Sequence, residues 1–406
     1  MTIDAAKPAL PDFSAIQKAL SAGDEAGPLG GWLFYDFRGL DPISLKILRF
    51  PEGKMATRRW FYFLPAGAEP VKVCHRIEAD ALDHLPGRRV LYSGWKELNA
   101  HLGAILKGAG RIAMQYSPRN AIPYVSRVDG GTLEMVRACG VEVATSADLV
   151  QTFEAVMTES QVESHYAAAR MLREAVDLTF AEVARRVSAG KSVNEFEIQC
   201  FLGDLFESRG FAADHPTIVA VNEHAGQPHY SPGPQGSSPI KRGDLLLIDI
   251  WAKRRNDPEA IYADITWTAF VDSNVPARHR EIFDVVRGGR DAALAYVQEG
   301  IAAGRPVKGR DVDDAARDYI RQRGYADQFT HRTGHNLGYE VHGNGAHLDH
   351  LETIDDRRII PRTAFTIEPG VYLPEFGIRS EINLYVRGNE AVITGPPIQT
   401  ELLPIL

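Results

Sequence analysis

Apolar positions follow two different periods along the chain. In the first third, short runs rich in β-branched and aromatic residues recur at Trp32–Phe37, Ser44–Phe50, Arg59–Leu64, Val71–Ile77, Val90–Ser93 and Arg111–Tyr116. Pro, Gly and charged residues punctuate them, which predicts strands. Between them Glu97–Leu106 and Gly131–Cys139 read as helices, the second stopped by Gly140. The spacing then lengthens. Val162, Tyr166, Ala169, Leu172, Val176 and Phe180 recur every three or four residues, predicting a helix over Ser160–Ala189 that Gly190 ends. Ser192 and Glu195 have capping-box spacing ahead of a second helix running to Arg209. Thr217–His224 predicts a strand, and Arg278–Glu299 and Asp311–Arg323 two further amphipathic helices.

This order predicts an α/β chain, α+β in its second part, with an α/β layer domain over residues 1–156 and a second domain over 157–406. A length of 406 residues suits two cores better than one. Charged residues at 24% and hydrophobic ones at 44% are ordinary for a soluble globular protein. A net charge of −8 argues against nucleic acid or a membrane surface as partner. Three widely spaced cysteines, Cys74, Cys139 and Cys200, form no Cys-x-x-Cys and exclude a cysteine zinc site. With no apolar signal core at the N-terminus, the expected location is the cytoplasm.

Candidate chemistry concentrates in acidic residues set in apolar surroundings. Asp249 lies in Asp-Leu-Leu-Leu-Ile-Asp-Ile-Trp (244–251) and Asp264 in Tyr-Ala-Asp-Ile-Thr-Trp-Thr (262–268). Further on, His335, His342, Glu368 and Glu381 fall in Gly-His-Asn-Leu-Gly-Tyr-Glu-Val-His-Gly (334–343), Thr-Ile-Glu-Pro-Gly-Val-Tyr (366–372) and Gly-Ile-Arg-Ser-Glu-Ile (377–382). Buried together, four carboxylates would be costly without a cation. Four carboxylates and one imidazole make a mostly oxygen donor set for divalent metal. His331, four residues before His335, does not make a helical zinc pair, because no Glu follows it and Gly334 breaks the helix.

The order Asp249, Asp264, His335, Glu368, Glu381 with these flanks resembles the pita-bread metallopeptidases, which include methionine aminopeptidase, aminopeptidase P and prolidase. The likeness covers roughly residues 158–400. It implies a creatinase-like first domain, a pita-bread catalytic domain and two divalent ions, manganese in the first place, with cobalt, zinc or iron as alternatives. Asp249, Asp264, His335, Glu368 and Glu381 would be the metal ligands. Glu368 would also shuttle a proton, His342 would stabilise an oxyanion, and His229 and His331 would line the substrate side. Arg379, two residues before Glu381, is placed to clamp a substrate carboxylate or orient a ligand, and Tyr385 follows on the same alternation.

The implied reaction is cleavage of the bond before proline. An Xaa-Pro dipeptidase is preferred over an aminopeptidase P acting on longer peptides, and a non-enzymatic peptide-binding module is the alternative of a different class. A homodimer is expected, in which the first domain of one subunit lends a loop to the other. Gly-Trp-Leu-Phe-Tyr-Asp-Phe-Arg-Gly (31–39) stands out in that domain, although it also reads as an aromatic core strand ending in a turn. Departures from the family pattern are a longer charged connection at Lys253–Glu259 and Trp267, which removes a charge expected near the ligands.

Overall fold

The computed structural model describes residues 10–406 apart from 52 and 55, and the chain divides into two compact units, 1–154 and 155–406.

In the first unit the chain runs α1 (Phe13–Ala22), β1 (Gly31–Asp36), α2 (Pro42–Ile47), β2 (Trp60–Pro65), β3 (Val71–His75), β4 (Arg88–Tyr92), α3 (Trp95–Leu106), β5 (Arg111–Met114), α4 (Gly130–Arg137), β6 (Glu142–Thr145) and α5 (Ala147–Val150). Its six strands form one sheet in the order β4-β3-β2-β1-β5-β6. Both faces are covered. Leu33, Tyr35, Phe61 and Phe63 pack with Leu98 and Leu102 of α3, while Trp32, Phe34, Trp60 and Tyr62 pack with Ile16 and Leu20 of α1. Burial on both sides is why the runs Trp32–Tyr35 of β1 and Trp60–Leu64 of β2 are apolar at every position. Ser44–Phe50, expected as a strand, is mostly the helix α2. The Asp41 carboxylate accepts from the Ser44 N–H at 3.0 Å and Pro42 holds the first turn, a start signal that outweighs the alternating Ile43, Leu45 and Ile47.

The second unit continues with α6 (Glu159–Ser188), α7 (Glu195–Ser208), β7 (Phe211–Ala212), β8 (Ile218–Val221), β9 (Leu245–Arg254), β10 (Ala263–Phe270), α8 (Ala277–Ala302) and α9 (Gly309–Arg321). Then come β11 (Asn336–Leu337), β12 (Ala364–Ile367), β13 (Gly370–Tyr372), β14 (Gly377–Arg379), β15 (Ile382–Arg387), β16 (Glu390–Thr394) and β17 (Leu403–Pro404). Helix α6 opens on a capping box of Thr158 and Gln161. For α7 the box is Asn194 with Glu197, two residues beyond the expected Ser192 and Glu195. Glu195 is instead fully buried.

One sheet has the order β17-β10-β9-β7 with β8 on β9, another the order β11-β12-β15-β16, and β13 and β14 pair separately. Helices α6 and α7 cover the outer face of the first through Leu172, Val176, Ile198, Leu202, Ile248 and Ile265. Helices α8 and α9 cover the second through Ile282, Phe283, Val312, Ile320, Phe365 and Leu384. Hydrogen bonds that join the sheets include Glu381 N–H to the Thr266 carbonyl at 3.1 Å and Asp264 N–H to Asn383 Oδ1 at 3.0 Å. Among the described residues, no helix is long and apolar enough to cross a membrane.

Candidate metal centre

Strand parity aims the first two acids. β9 and β10 are antiparallel with Asp249 opposite Thr266 and Trp251 opposite Asp264, so these four side chains share one face of the sheet. Ile248, Ile250 and Ile265 take the other face, under α6 and α7. From the second sheet come His335 just before β11, Glu368 just after β12 and Glu381 between β14 and β15.

The two sets meet. His335 Nε2 is 3.6 Å from Asp264 Oδ2 and 3.4 Å from Glu368 Oε1. Asp264, His335 and Glu381 each offer a donor atom, all within 4.8 Å of one another. Asp249 joins through Thr266, whose Oγ1 lies 2.9 Å from Asp249 Oδ1 and 2.9 Å from Glu381 Oε2. His335 Nδ1 is 3.3 Å from the Asn336 carbonyl. A proton on Nδ1 leaves Nε2 as the free lone pair facing the carboxylates, the tautomer a metal-ligating histidine needs.

Electrostatics favours a cation here. Burial, and then the charges of Asp249 and Glu368, hold the Asp264 carboxyl well above its ordinary range. Glu381 is raised by burial and by Asp264 and Glu368, and burial pushes Glu368 up to about 7 against the opposing pull of Arg379. Asp264 Oδ1 and Glu381 Oε1 are buried with no hydrogen-bond partner. Buried oxygens in this condition are costly unless something else binds them. An oxygen-rich set with one imidazole suits a divalent ion, so the donors present fit a metal.

Arg379 is buried and spent within this network. Nη2 meets Asp249 Oδ2 at 2.5 Å, Nε meets Thr266 Oγ1 at 3.0 Å and Nη1 meets the Tyr372 hydroxyl at 2.8 Å. The guanidinium is thus engaged on three sides by groups of this chain. The Tyr372 hydroxyl accepts from Arg379 and can donate to His331 Nε2 at 2.7 Å, while His331 Nδ1 faces the Arg332 carbonyl at 2.7 Å. Burial and the Arg379 charge depress the His331 ring to about 3, so it is neutral. The buried Asp313 of α9 fixes this segment, accepting from Thr333 N–H at 2.9 Å and from the Thr333 hydroxyl at 2.6 Å.

His342 lies with its ring centroid 4.2 Å from that of His335. Asn336 holds the intervening loop, its carbonyl accepting from Gly343 N–H and its Oδ1 from Gly345 N–H, each at 2.8 Å. A Cβ on Gly345 would sit 2.6 Å from the Asn336 side chain, so that approach requires glycine. His229 is exposed, and its charge opposes protonation of His342. Glu195 organises the His229 loop, accepting from Val221 N–H at 2.8 Å, the Tyr230 hydroxyl at 2.7 Å and Ser238 N–H at 2.7 Å, with His224 Nδ1 at 2.9 Å.

Tyr385 and Trp267 pack in apolar clusters that hold none of the five candidate ligands. Tyr385 packs in the cluster of Met157, Tyr262, Leu337 and Ala364, its ring 6.1 Å from that of Tyr166. Charges bearing on it are those of Arg362, Glu159 and Arg387, none of them a site residue. Trp267 faces away from the ligands into the α6–α7 core, where the Arg173 guanidinium stacks 3.9 Å from its ring. The 253–259 connection is tied down by Lys253 Nζ to the Tyr339 carbonyl at 2.6 Å and by the Tyr339 hydroxyl to Glu259 at 2.9 Å. Sequence reasoning missed Thr266, Tyr372, Asn336 and Glu195. Thr266 was within reach, two residues past Asp264 on the same strand face.

Residues 134–388 match the model of the family described as Metallopeptidase family M24. "Probable dipeptidase PepE" of Mycobacterium tuberculosis is 24% identical over 351 residues, 84% of this chain and 85% of that one. The Xaa-Pro dipeptidase of Pyrococcus furiosus is 28% identical over 248 residues, 60% of this chain and 64% of that one. In fold, the crystal structure of dipeptidase PepE from Mycobacterium ulcerans is similar with a TM-score of 0.67 at 22% identity, over 98% of this chain and all of that one.

Proposed function

Starting from the fact that the chain belongs to metallopeptidase family M24, we propose that it is a dinuclear-metal hydrolase that cleaves the peptide bond before proline in Xaa-Pro dipeptides. The observation carrying this reading is the buried donor set of Asp264, His335 and Glu381, whose Asp264 Oδ1 and Glu381 Oε1 have no hydrogen-bond partner. Relatives named dipeptidase and Xaa-Pro dipeptidase support the substrate class.

Asp249, Asp264, His335, Glu368 and Glu381 would hold the ions. When bound, divalent cations in such a cradle supply Lewis acidity and make water nucleophilic near neutral pH. The protein's own groups do the rest. Arg379 orients Asp249, and Tyr372 keeps Arg379 in place while donating to His331 Nε2. Glu368, whose Oε1 lies 3.4 Å from His335 Nε2, is the carboxylate suited to take a proton from the attacking water and deliver it to the leaving nitrogen. His342, beside His335, is the donor for the oxygen that gains charge as the carbonyl is attacked.

The test is cleavage of Ala-Pro against Ala-Pro-Ala by protein loaded with manganese, with metal content measured on the same sample. Faster turnover of Ala-Pro is expected. Preference for the tripeptide would make the enzyme an aminopeptidase P, and neither bound metal nor cleavage would leave a peptide-binding module.

A further inference from the structure

One carboxylate beside the candidate centre belongs to no part of the scheme above. The chain leaves β9 after β7, where Phe211 and Ala212 pair with Arg254 and Lys253, and rejoins it at β8, where Ile218 pairs with Asp249. Asp214 lies in the unpaired stretch between. Its Oδ1 accepts from Trp251 Nε1 at 2.8 Å and from the His215 N–H at 3.0 Å. Oδ2 lies 3.3 Å from His215 Nδ1, and the side chain remains 38% exposed.

The position of Trp251 makes this arrangement informative. It is the residue directly opposite Asp264 and, two along from Asp249, on the same face of the sheet. One indole therefore separates Asp214 from the metal-binding carboxylates. Trp251 also bridges two apolar groups, one with Tyr262 and Tyr339, the other with Tyr230 and Ala225 of the His229 loop. The result is an aromatic wall with an anchored anion at its rim.

Lys253 is turned toward the Tyr339 carbonyl at 2.6 Å and the Tyr262 ring at 4.8 Å. An anion fixed by an indole N–H, with aromatic surface leading up to it, suits a side chain with an aliphatic stem and a cationic tip.

We propose that Asp214 and Trp251 form the subsite for the substrate's first residue and select lysine or arginine there. This rests on the peptidase reading and narrows it to dipeptides with a basic first residue.

The experiment compares kcat/KM for Arg-Pro, Lys-Pro, Met-Pro and Glu-Pro in the full-length, manganese-loaded protein and in its Asp214→Asn variant. Wild type should prefer Arg-Pro and Lys-Pro over Met-Pro by about tenfold, handle Glu-Pro worst, and lose much of this preference in high salt. In Asp214→Asn the Arg-Pro to Met-Pro ratio should fall toward one. An unchanged ratio, or an equal fall on all four peptides as recognition of the substrate's α-ammonium would give, overturns the proposal. Calorimetric binding of Arg-Pro and Met-Pro separates the two readings. Tighter binding of Arg-Pro that depends on Asp214, without cleavage, would sink the peptidase reading and keep this subsite. Cleavage with binding indifferent to residue 214 would do the reverse.

Discussion

Arg379 Nη2 lies 2.5 Å from Asp249 Oδ2, and this contact places a buried guanidinium on the acid that joins the donor set through Thr266. Lysine keeps the charge but not the fork that reaches Asp249, Thr266 and Tyr372 together. Arg379→Lys is expected to lower kcat by about 10- to 100-fold and to weaken metal retention, with KM nearly unchanged. Steady-state kinetics and metal content of the same preparation check this, and wild-type kcat in the variant would refute it.

The Tyr372 hydroxyl bridges Arg379 and His331. Tyr372→Phe removes it without changing ring packing and leaves His331 Nε2 without its donor. Loss of about 1–3 kcal/mol in stability is expected from the unsatisfied groups, with a fall in kcat as Arg379 loosens. Urea unfolding and kinetics on the variant read the two effects separately.

Metal removal should expose the strain among the acids. Asp264, Glu368 and Glu381 have folded-state pKa values raised above their unfolded ones, Glu368 to about 7. In the metal-free protein these three groups therefore bind more protons in the folded state than in the unfolded state between the ordinary carboxylate range and about pH 7. Their contribution to stability falls as pH rises through that window. The gap in Tm between metal-loaded and chelated protein should widen from pH 5 to pH 8. Comparing the two forms cancels the opposite effect of the buried imidazoles, among them His165 and His342, each lowered to about 4, and His331, lowered to about 3. A gap constant with pH would contradict the raised values.

Trp267 belongs to the core and not to the site. Trp267→Ala should cost about 3–5 kcal/mol while kcat/KM per folded molecule stays within about twofold. Thermal melting with active-site titration tests it, and a large loss of activity at full folding would place Trp267 back among the functional residues.

Much of this architecture could be read from residue order, for identifiable reasons. α6 was legible because its apolar residues keep helical spacing past several turns, and β9 and β10 because an Asp inside an apolar run is conspicuous. α2 was not, because its short Ile43, Leu45, Ile47 alternation imitates a strand and only Asp41 and Pro42 tip the balance. Ser192–Glu195 and Asn194–Glu197 fit a capping box equally well by spacing. Burial of Glu195 under its donors decides between them. For Trp267 the signal was present, since a residue three past Asp264 on a strand must face the opposite side. Tyr385 has the parity of Glu381, but four residues of strand carry it roughly 13 Å along the chain, out to Tyr166.

Both sheets of the second unit contribute walls to the cradle, and the bonds from Glu381 N–H to Thr266 and from Asp264 N–H to Asn383 stitch those walls together beside the acids themselves. One half of the donor set is thereby tied to the other. Catalytic competence thus doubles as a gauge of whether the two layers remain closed, and heat inactivation should coincide with the parting of the sheets instead of preceding it.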